Sequence, residues 1–223
     1  MLPPTSEQEL LERVSALAGA RIGDVAKGLH LVPPPDLTRH KGWVGQFFEH
    51  ALGATAGSLD EPDFVELGIE LKSLPVTPDG RPVESTFVCT IPLQDLETVP
   101  WERSRVRRKL ARVLWMPFEG DRTIAVAERR IGSGFAWSPS VAEEAGLRVD
   151  WEELGGLIAR GGVESLTAHL GEHLQVRPKA AHSQVKRRVI DDEGFITETL
   201  PRGFYLRTKF TAALLSANVH TLR

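Results

Sequence analysis

Apolar residues recur along the chain at two spacings, which divide it into helical and extended stretches. Leu10, Leu11, Val14 and Leu17 follow at helical intervals behind Ser6-Glu7-Gln8-Glu9, a capping-box sequence, and predict a helix from about residue 6 to 18. A short second helix carries Ile22, Val25, Ala26 and Leu29 and is stopped by Pro33-Pro34-Pro35. Residues 42–52 set Trp43, Val44, Phe47, Phe48, Ala51 and Leu52 on one broad helical face, and on pattern alone Glu49 falls on the solvent side. The small residues of 53–58 suit a turn or a close approach to a ligand backbone. Residues 68–74 alternate instead: Ile69, Leu71 and Ser73 face one side of a strand, and Glu70, Lys72 and Leu74 the other. Pro78-Asp79-Gly80-Arg81 signals a turn, and residues 85–91 are rich in β-branched and aromatic side chains. Together, 68–76 and 84–92 predict a β-hairpin at the core of a sheet.

Beyond it, residues 101–115 read as a helix with Val106, Leu110, Val113 and Leu114 on its apolar face and Arg105, Arg108, Lys109 and Arg112 on a basic one. Residues 115–118 and 124–127 read as short strands or connectors, and 140–160 as a helix holding Trp151, Leu154, Leu157 and Ile158. Gly132-Ser133-Gly134 lacks the third glycine and the strand–helix context of a dinucleotide fingerprint. The run from His169 to His173 matches H-x-x-E-H, a zinc-peptidase motif that needs a helix. Gly171 interrupts it and a strand through Pro178 follows, so no zinc site is expected. A basic loop extends through Arg188, and a terminal helix holds Phe210, Ala213, Leu214 and Leu215. Tyr205, the only tyrosine, is either a half-buried turn residue or a contact to a base or methyl group.

Composition narrows the class. A chain of 223 residues with 41% hydrophobic and 26% charged residues suits a soluble globular protein, as one large domain or two subdomains sharing a core. No apolar run approaches the ~18 residues of a membrane span. The first residues lack the basic and apolar regions of a signal peptide, so a cytoplasmic location is expected. Cys89 is the single cysteine, which excludes an internal disulfide and a Cys-rich zinc site; it reads as a small buried hydrophobe. The net charge of −3 does not announce a nucleic-acid partner, but its distribution does more. Arg103, Arg105, Arg107, Arg108, Lys109 and Arg112 form one stretch without acids; residues 177–188 and 202–209 add two further basic segments. Cations at i, i+3, i+4 and i+7 repel one another and are matched by a phosphate-bearing partner, or they are simply a solvated face.

The candidate chemistry lies at residues 61–76. Glu70 and Lys72 project from one face of a strand, and Asp63 precedes them by one short element. A same-face Glu/Lys pair is commonly a weak, solvated ion pair. Two carboxylates and an amine converging on one point are instead hard ligands for Mg²⁺ beside a phosphate, the chemistry of phosphodiester hydrolysis.

Ordered blocks across nearly the whole chain resemble the MutH family of DNA mismatch-repair endonucleases, within the restriction-endonuclease-like superfamily. They include Lys41-Gly42-Trp43-Val44-Gly45, Leu52 to Ser58, Asp63-Phe64, Gly68-Ile69-Glu70-Leu71-Lys72, Thr86-Phe87-Val88-Cys89, Val106 to Leu110, Asp150 to Leu154, Arg177-Pro178-Lys179-Ala180 and Leu200 to Leu206. The resemblance implies an α/β fold: a mixed β-sheet flanked by helices, with residues 1–223 as one endonuclease domain of two subdomain arms around a DNA cleft. It implies Mg²⁺ held by Asp63, Glu70 and the backbone carbonyl of Leu71. Lys72 would orient the attacking water and stabilise charge, and Glu49 and Lys109 would complete the active site, which reverses the solvent-facing reading of Glu49. Arg177, Pro178, Phe87, Tyr205, Lys41 and Lys179 match DNA-recognition positions, with Tyr205 sensing adenine methylation. Arg105, Arg108, Arg112, Lys186 and Arg202 would contact phosphates.

The implied reaction is nicking of the unmethylated strand 5′ to the G of hemimethylated or unmethylated GATC by a monomer. MutL would activate it and MutS would act indirectly; no membrane partner is expected. A type II restriction enzyme cutting both strands of GATC shares the same active site. A non-catalytic DNA-binding module and a structural interaction protein are the readings from other classes, and the last leaves the basic segments unexplained.

Overall fold

The computed structural model describes residues 1–40, 42–57, 59–91, 99–162, 166, 169–179, 187–190 and 196–218. In chain order the elements are α1 (Glu7–Leu17), α2 (Ile22–Gly28), α3 (Trp43–Leu52), β1 (Glu70–Val76), β2 (Thr86–Thr90), α4 (Arg105–Leu110), β3 (Val113–Glu119), β4 (Phe135–Trp137), α5 (Val141–Ala159), β5 (Leu174–Pro178), β6 (Arg187–Ile190), β7 (Ile196–Thr199), β8 (Arg202–Leu206) and α6 (Thr208–Asn218). The fold is mixed α/β, with small sheets flanked by helices. The chain divides into two compact units: one holds Met1–Glu84, Ala111–Ser138 and the stretch from Ala212 on, the other Ser85–Leu110 and Pro139–Thr211.

In the first unit, β1 runs parallel to β3 from Glu70 opposite Val113 to Val76 opposite Glu119, and β4 adds antiparallel to β3. A central strand is covered on both faces and reads as a continuous apolar run. Val113 to Phe118 is such a run, and all six residues are buried. Leu71, Leu114 and Met116 share a core with Leu10, Phe47 and Phe48 from the helices. Ser6 caps α1, its hydroxyl accepting from Glu9 N–H at 3.1 Å. The Glu9 carboxylate, however, accepts from the backbone and hydroxyl of Thr5, both at 2.8 Å, so the expected box closes one residue earlier.

Three expectations are overturned. The predicted hairpin of 68–76 with 84–92 does not form. Its turn does, with Thr77 N–H on the Arg81 carbonyl at 2.8 Å and Gly80 at φ +79°. Val76 and Pro82 then make a single bridge, and proline offers no N–H to extend a ladder. The chain leaves for the second unit, where β2 pairs with β8.

The predicted helix of 101–115 is only α4, preceded by a 3₁₀ turn at Trp101–Arg103, and Val113, Leu114 and Trp115 belong to β3. Helical and buried-strand patterns coincide over so short an apolar run. Arg112 consequently lies outside α4: its guanidinium pairs with Glu7 and also donates to the Ser138 hydroxyl at 3.4 Å. Finally, the expected basic loop through Arg188 ends in a strand, because β6 pairs antiparallel with β7.

The second unit is organised by the antiparallel sheet β2-β8-β5, with a bulge between Phe87 and Cys89. Tyr205 sits in strand β8, not in a turn. Cys89 is buried. A full capping box, Ser140 with Glu143, starts α5, and Trp101 packs against Trp151 with ring centroids 5.8 Å apart.

Candidate nuclease and nucleic-acid sites

The first cluster is built on β1. Asp63 is carried by the segment before it, where Phe64 and Ile69 exchange backbone hydrogen bonds and Gly68 turns the chain at φ +64°. In a strand the N–H and C=O of one residue point to the same side, and neighbours alternate. Glu70 N–H donates to the Arg112 carbonyl at 2.9 Å, toward β3. Leu71 N–H therefore points to the outer edge, where it donates to Asp63 Oδ2 at 2.7 Å. The Leu71 carbonyl shares that edge with the Asp63 carboxylate.

Glu70 and Lys72 project from one face, as the alternation predicts. Lys72 Nζ lies 2.6 Å from Glu70 Oε1, with the two side chains only 11% and 6% exposed. The solvated-pair reading is thereby excluded. A pair this buried is costly to break from one side, because the remaining charge stays desolvated. Glu49, on α3, is partly buried rather than solvent-facing. Its Oε1 and the Ser73 hydroxyl each lie 3.9 Å from the point a Cβ on Gly45 would occupy.

The donor types suit a hard cation: Asp63 and Glu70 offer carboxylates and Leu71 a backbone carbonyl around the start of one strand, and Mg²⁺ takes few protein ligands, completing its shell with water and substrate phosphate. Among the described residues no group of three or more His, Cys, Asp or Glu side chains is gathered to hold a metal by itself. In the stretch His169–His173, the His173 ring packs on Phe210 with ring centroids 5.1 Å apart.

A second cluster lies on one face of the β2-β8-β5 sheet. Register sets Phe87 and Gln175 on either side of Tyr205, and Arg177 opposite Gly203. Phe87 meets Tyr205 edge-on at 5.3 Å between ring centroids. The Arg177 guanidinium stands 6.0 Å from the Tyr205 ring, and Lys179 Nζ 3.0 Å from that of Phe87. Arg177, Pro178 and Lys179 are exposed, while Phe87 and Tyr205 are half-buried. The arrangement offers flat π faces, fixed cations and a bidentate donor, the means of contacting bases and phosphates.

Two contributors were not anticipated. Ser85 accepts from Arg177 Nη1 at 2.8 Å and fixes its direction; nothing in the sequence signals it. Gly203 lets Phe87 lie flat, because a Cβ there would come within 2.8 Å of the ring. A glycine inside a strand is the available signal for such a close approach.

The remaining candidates are placed less tightly. Lys109 and Arg105 are partly exposed and Arg108 exposed on α4 in the second unit. Arg202 is buried at 8% exposure, with Nη2 3.5 Å from the Thr199 hydroxyl, which is no posture for a surface phosphate contact. Lys41 and Lys186 lie outside the described residues.

The mixed sheet, with Glu70 and Lys72 on its edge strand and Asp63 on the segment before it, fits the restriction-endonuclease-like class. Comparison with known proteins narrows this. Residues 52–150 match the family model of the DNA mismatch repair enzyme MutH. The chain is 55% identical over 214 residues to the DNA mismatch repair protein MutH of Serratia proteamaculans (strain 568), covering 96% of this chain and 94% of that one. It is 52% identical, with the same coverage, to those of Yersinia pseudotuberculosis serotype IB (strain PB1/+) and Yersinia pestis (strain Pestoides F). The chain belongs to the MutH family of DNA mismatch repair enzymes.

Proposed function

We propose that this chain is a Mg²⁺-dependent endonuclease that nicks the unmethylated strand 5′ to the G of hemimethylated or unmethylated GATC during mismatch repair. The observation that carries this reading is the buried Lys72–Glu70 pair beside the Asp63 carboxylate, which no solvated surface strand would hold. Asp63, Glu70 and the Leu71 carbonyl would hold the cation. Bound Mg²⁺ supplies Lewis-acid polarisation of the phosphate and lowers the pKa of the attacking water.

The chain's own groups do the rest. Glu70 accepts a hydrogen bond from the Lys72 ammonium at 2.6 Å and holds it in place. Lys72 orients the water and offsets charge developing on the phosphate oxygens. Leu71 N–H, through its bond to Oδ2, fixes the carboxylate plane of Asp63. Glu49 as a further acid and Lys109 as an active-site lysine are retained on the strength of the family resemblance.

On the second face, Arg177 is suited to bidentate guanine contact, and the Tyr205 and Phe87 rings to contact with adenine and its methyl group. Arg105 and Arg108 would hold phosphates. MutL as activator and MutS as the source of the mismatch signal follow from the family.

The deciding experiment incubates the protein and Mg²⁺ with unmethylated, hemimethylated and fully methylated GATC plasmids, with and without MutL and ATP. Single-strand nicks confined to the unmethylated strand and stimulated by MutL are expected. Double-strand breaks irrespective of methylation would make it a restriction enzyme. No cleavage under any condition would leave a binding module.

A further inference from the structure

We infer that Asp150 is a positioning residue for DNA readout: its carboxylate pins the start of β5 and so holds Arg177 and Lys179 on the face they share with Tyr205 and Phe87. The inference rests on the proposed reading of that face as the DNA-contacting surface.

Asp150 lies on α5 and is 4% exposed. Its carboxylate accepts three successive backbone N–H groups: Glu172 at 2.9 and 3.0 Å to its two oxygens, His173 at 2.5 Å and Leu174 at 2.8 Å. Consecutive amides cradling one anion form a nest, and at a buried site each is costly to leave unmet. The turn they belong to accepts little substitution. Gly171 has φ +78°, and a Cβ on it would lie 2.2 Å from the Leu174 carbonyl oxygen. Arg207 closes the turn from the β8 side, with Nε donating to the Gly171 carbonyl at 3.0 Å and its N–H to the His173 carbonyl at 2.8 Å. On the α5 side, a Cβ on Gly146 would lie 2.3 Å from His173 Nε2, so helix and turn already meet at their closest approach.

The consequence falls on β5. It is an outer strand of the described β2-β8-β5 sheet, with one ladder to set its register. A slip of one residue would exchange its faces, carrying Arg177 inward and the buried Leu174 and Val176 outward. Arg177 stands three residues beyond the pinned Leu174, roughly 10 Å at strand rise, too short a stiff segment to lose the anchor's position. Asparagine weakens the cradle: it removes the charge that the three amides meet and sets an NH₂ where Oδ1 accepts from Glu172 N–H.

The test compares wild type and Asp150→Asn by fluorescence anisotropy without divalent metal, on a GATC duplex and a scrambled duplex of equal length. A wild type without preference for GATC would refute the recognition-face reading itself and leave this inference without a basis. Given that preference, Asp150→Asn is expected to lower the specificity ratio about tenfold while changing scrambled-duplex affinity less than about twofold. An unchanged ratio, or proportional loss of both affinities, overturns the inference. Should Asp150→Asn fail to fold, Arg207→Gln, which loosens the same turn from the other side, is expected to lower the ratio in the same sense. Hydrogen exchange on the wild type adds a check free of variants: the amides of 172–174 should open only with the core of the sheet, and exchange at exposed-turn rates would also overturn it.

Discussion

At the scale of single residues, Lys72 carries two separable roles. Its ammonium completes the proposed catalytic centre, and it neutralises a Glu70 that is nearly out of solvent. Lys72→Ala is therefore expected to abolish Mg²⁺-dependent nicking and also to destabilise the fold by on the order of 3 kcal/mol, the cost of stranding a buried charge. The Glu70→Gln/Lys72→Met double variant should melt higher than Lys72→Ala while remaining inactive. A double variant no more stable than the single would sever the ion pair from the stability argument. Glu9 offers a pH reading. Hydrogen bonds from the Thr5 backbone and hydroxyl, then Arg13, lower its carboxyl to a pKa of about 2. A depressed carboxylate contributes stability above its unfolded value of 4.5 and loses it as pH falls toward 2. The acid side of the melting profile should accordingly be shallower in Glu9→Gln than in wild type between those limits. Gly203→Ala is expected to cost about 1–3 kcal/mol by forcing the Phe87 ring aside. GATC affinity should fall with it; a variant crystal structure with Phe87 unmoved would contradict the explanation.

At the scale of elements, the strongest patterns were the legible ones. α1, α2, α3, α5 and α6 follow their apolar periodicity, and β1 follows its alternation. What misled were short apolar runs. Val113, Leu114 and Trp115 satisfy a helix stripe and a doubly buried strand equally, and only the parallel ladder with β1 chooses between them. The hairpin prediction failed for a related reason: a turn sequence fixes local chain reversal and says nothing of which sheet receives the next strand. Capping is local and was partly readable. Ser140→Ala should cost about 1 kcal/mol in a thermal or denaturant melt by removing the α5 cap. No measurable loss would show that the helix is held by its packing alone.

At the scale of the whole molecule, a chain of net charge −3 must bind a polyanion through the placement of its cations. Arg105, Arg108, Lys109, Arg177 and Lys179 are exposed or partly exposed. If each neutralises one phosphate, the slope of log affinity against log salt should approach roughly −4.5 on duplex DNA. A slope near zero would remove the electrostatic basis of the proposed interface. Among the described residues no helix is long and apolar enough to cross a membrane.

The sequence by itself determined the helix count of the N-terminal region, the strand that bears Glu70 and Lys72, and the family. All three are written in local spacing or in ordered blocks of identity. Tertiary structure alone decided the rest. It paired β1 with β3 in parallel, buried the Glu70–Lys72 pair and turned Leu71 N–H onto Asp63. It also moved Arg112 off the basic helix and tied Asp150 to a turn far along the chain. These depend on contacts between residues distant in sequence, where burial and hydrogen-bond geometry rather than local propensity select the outcome.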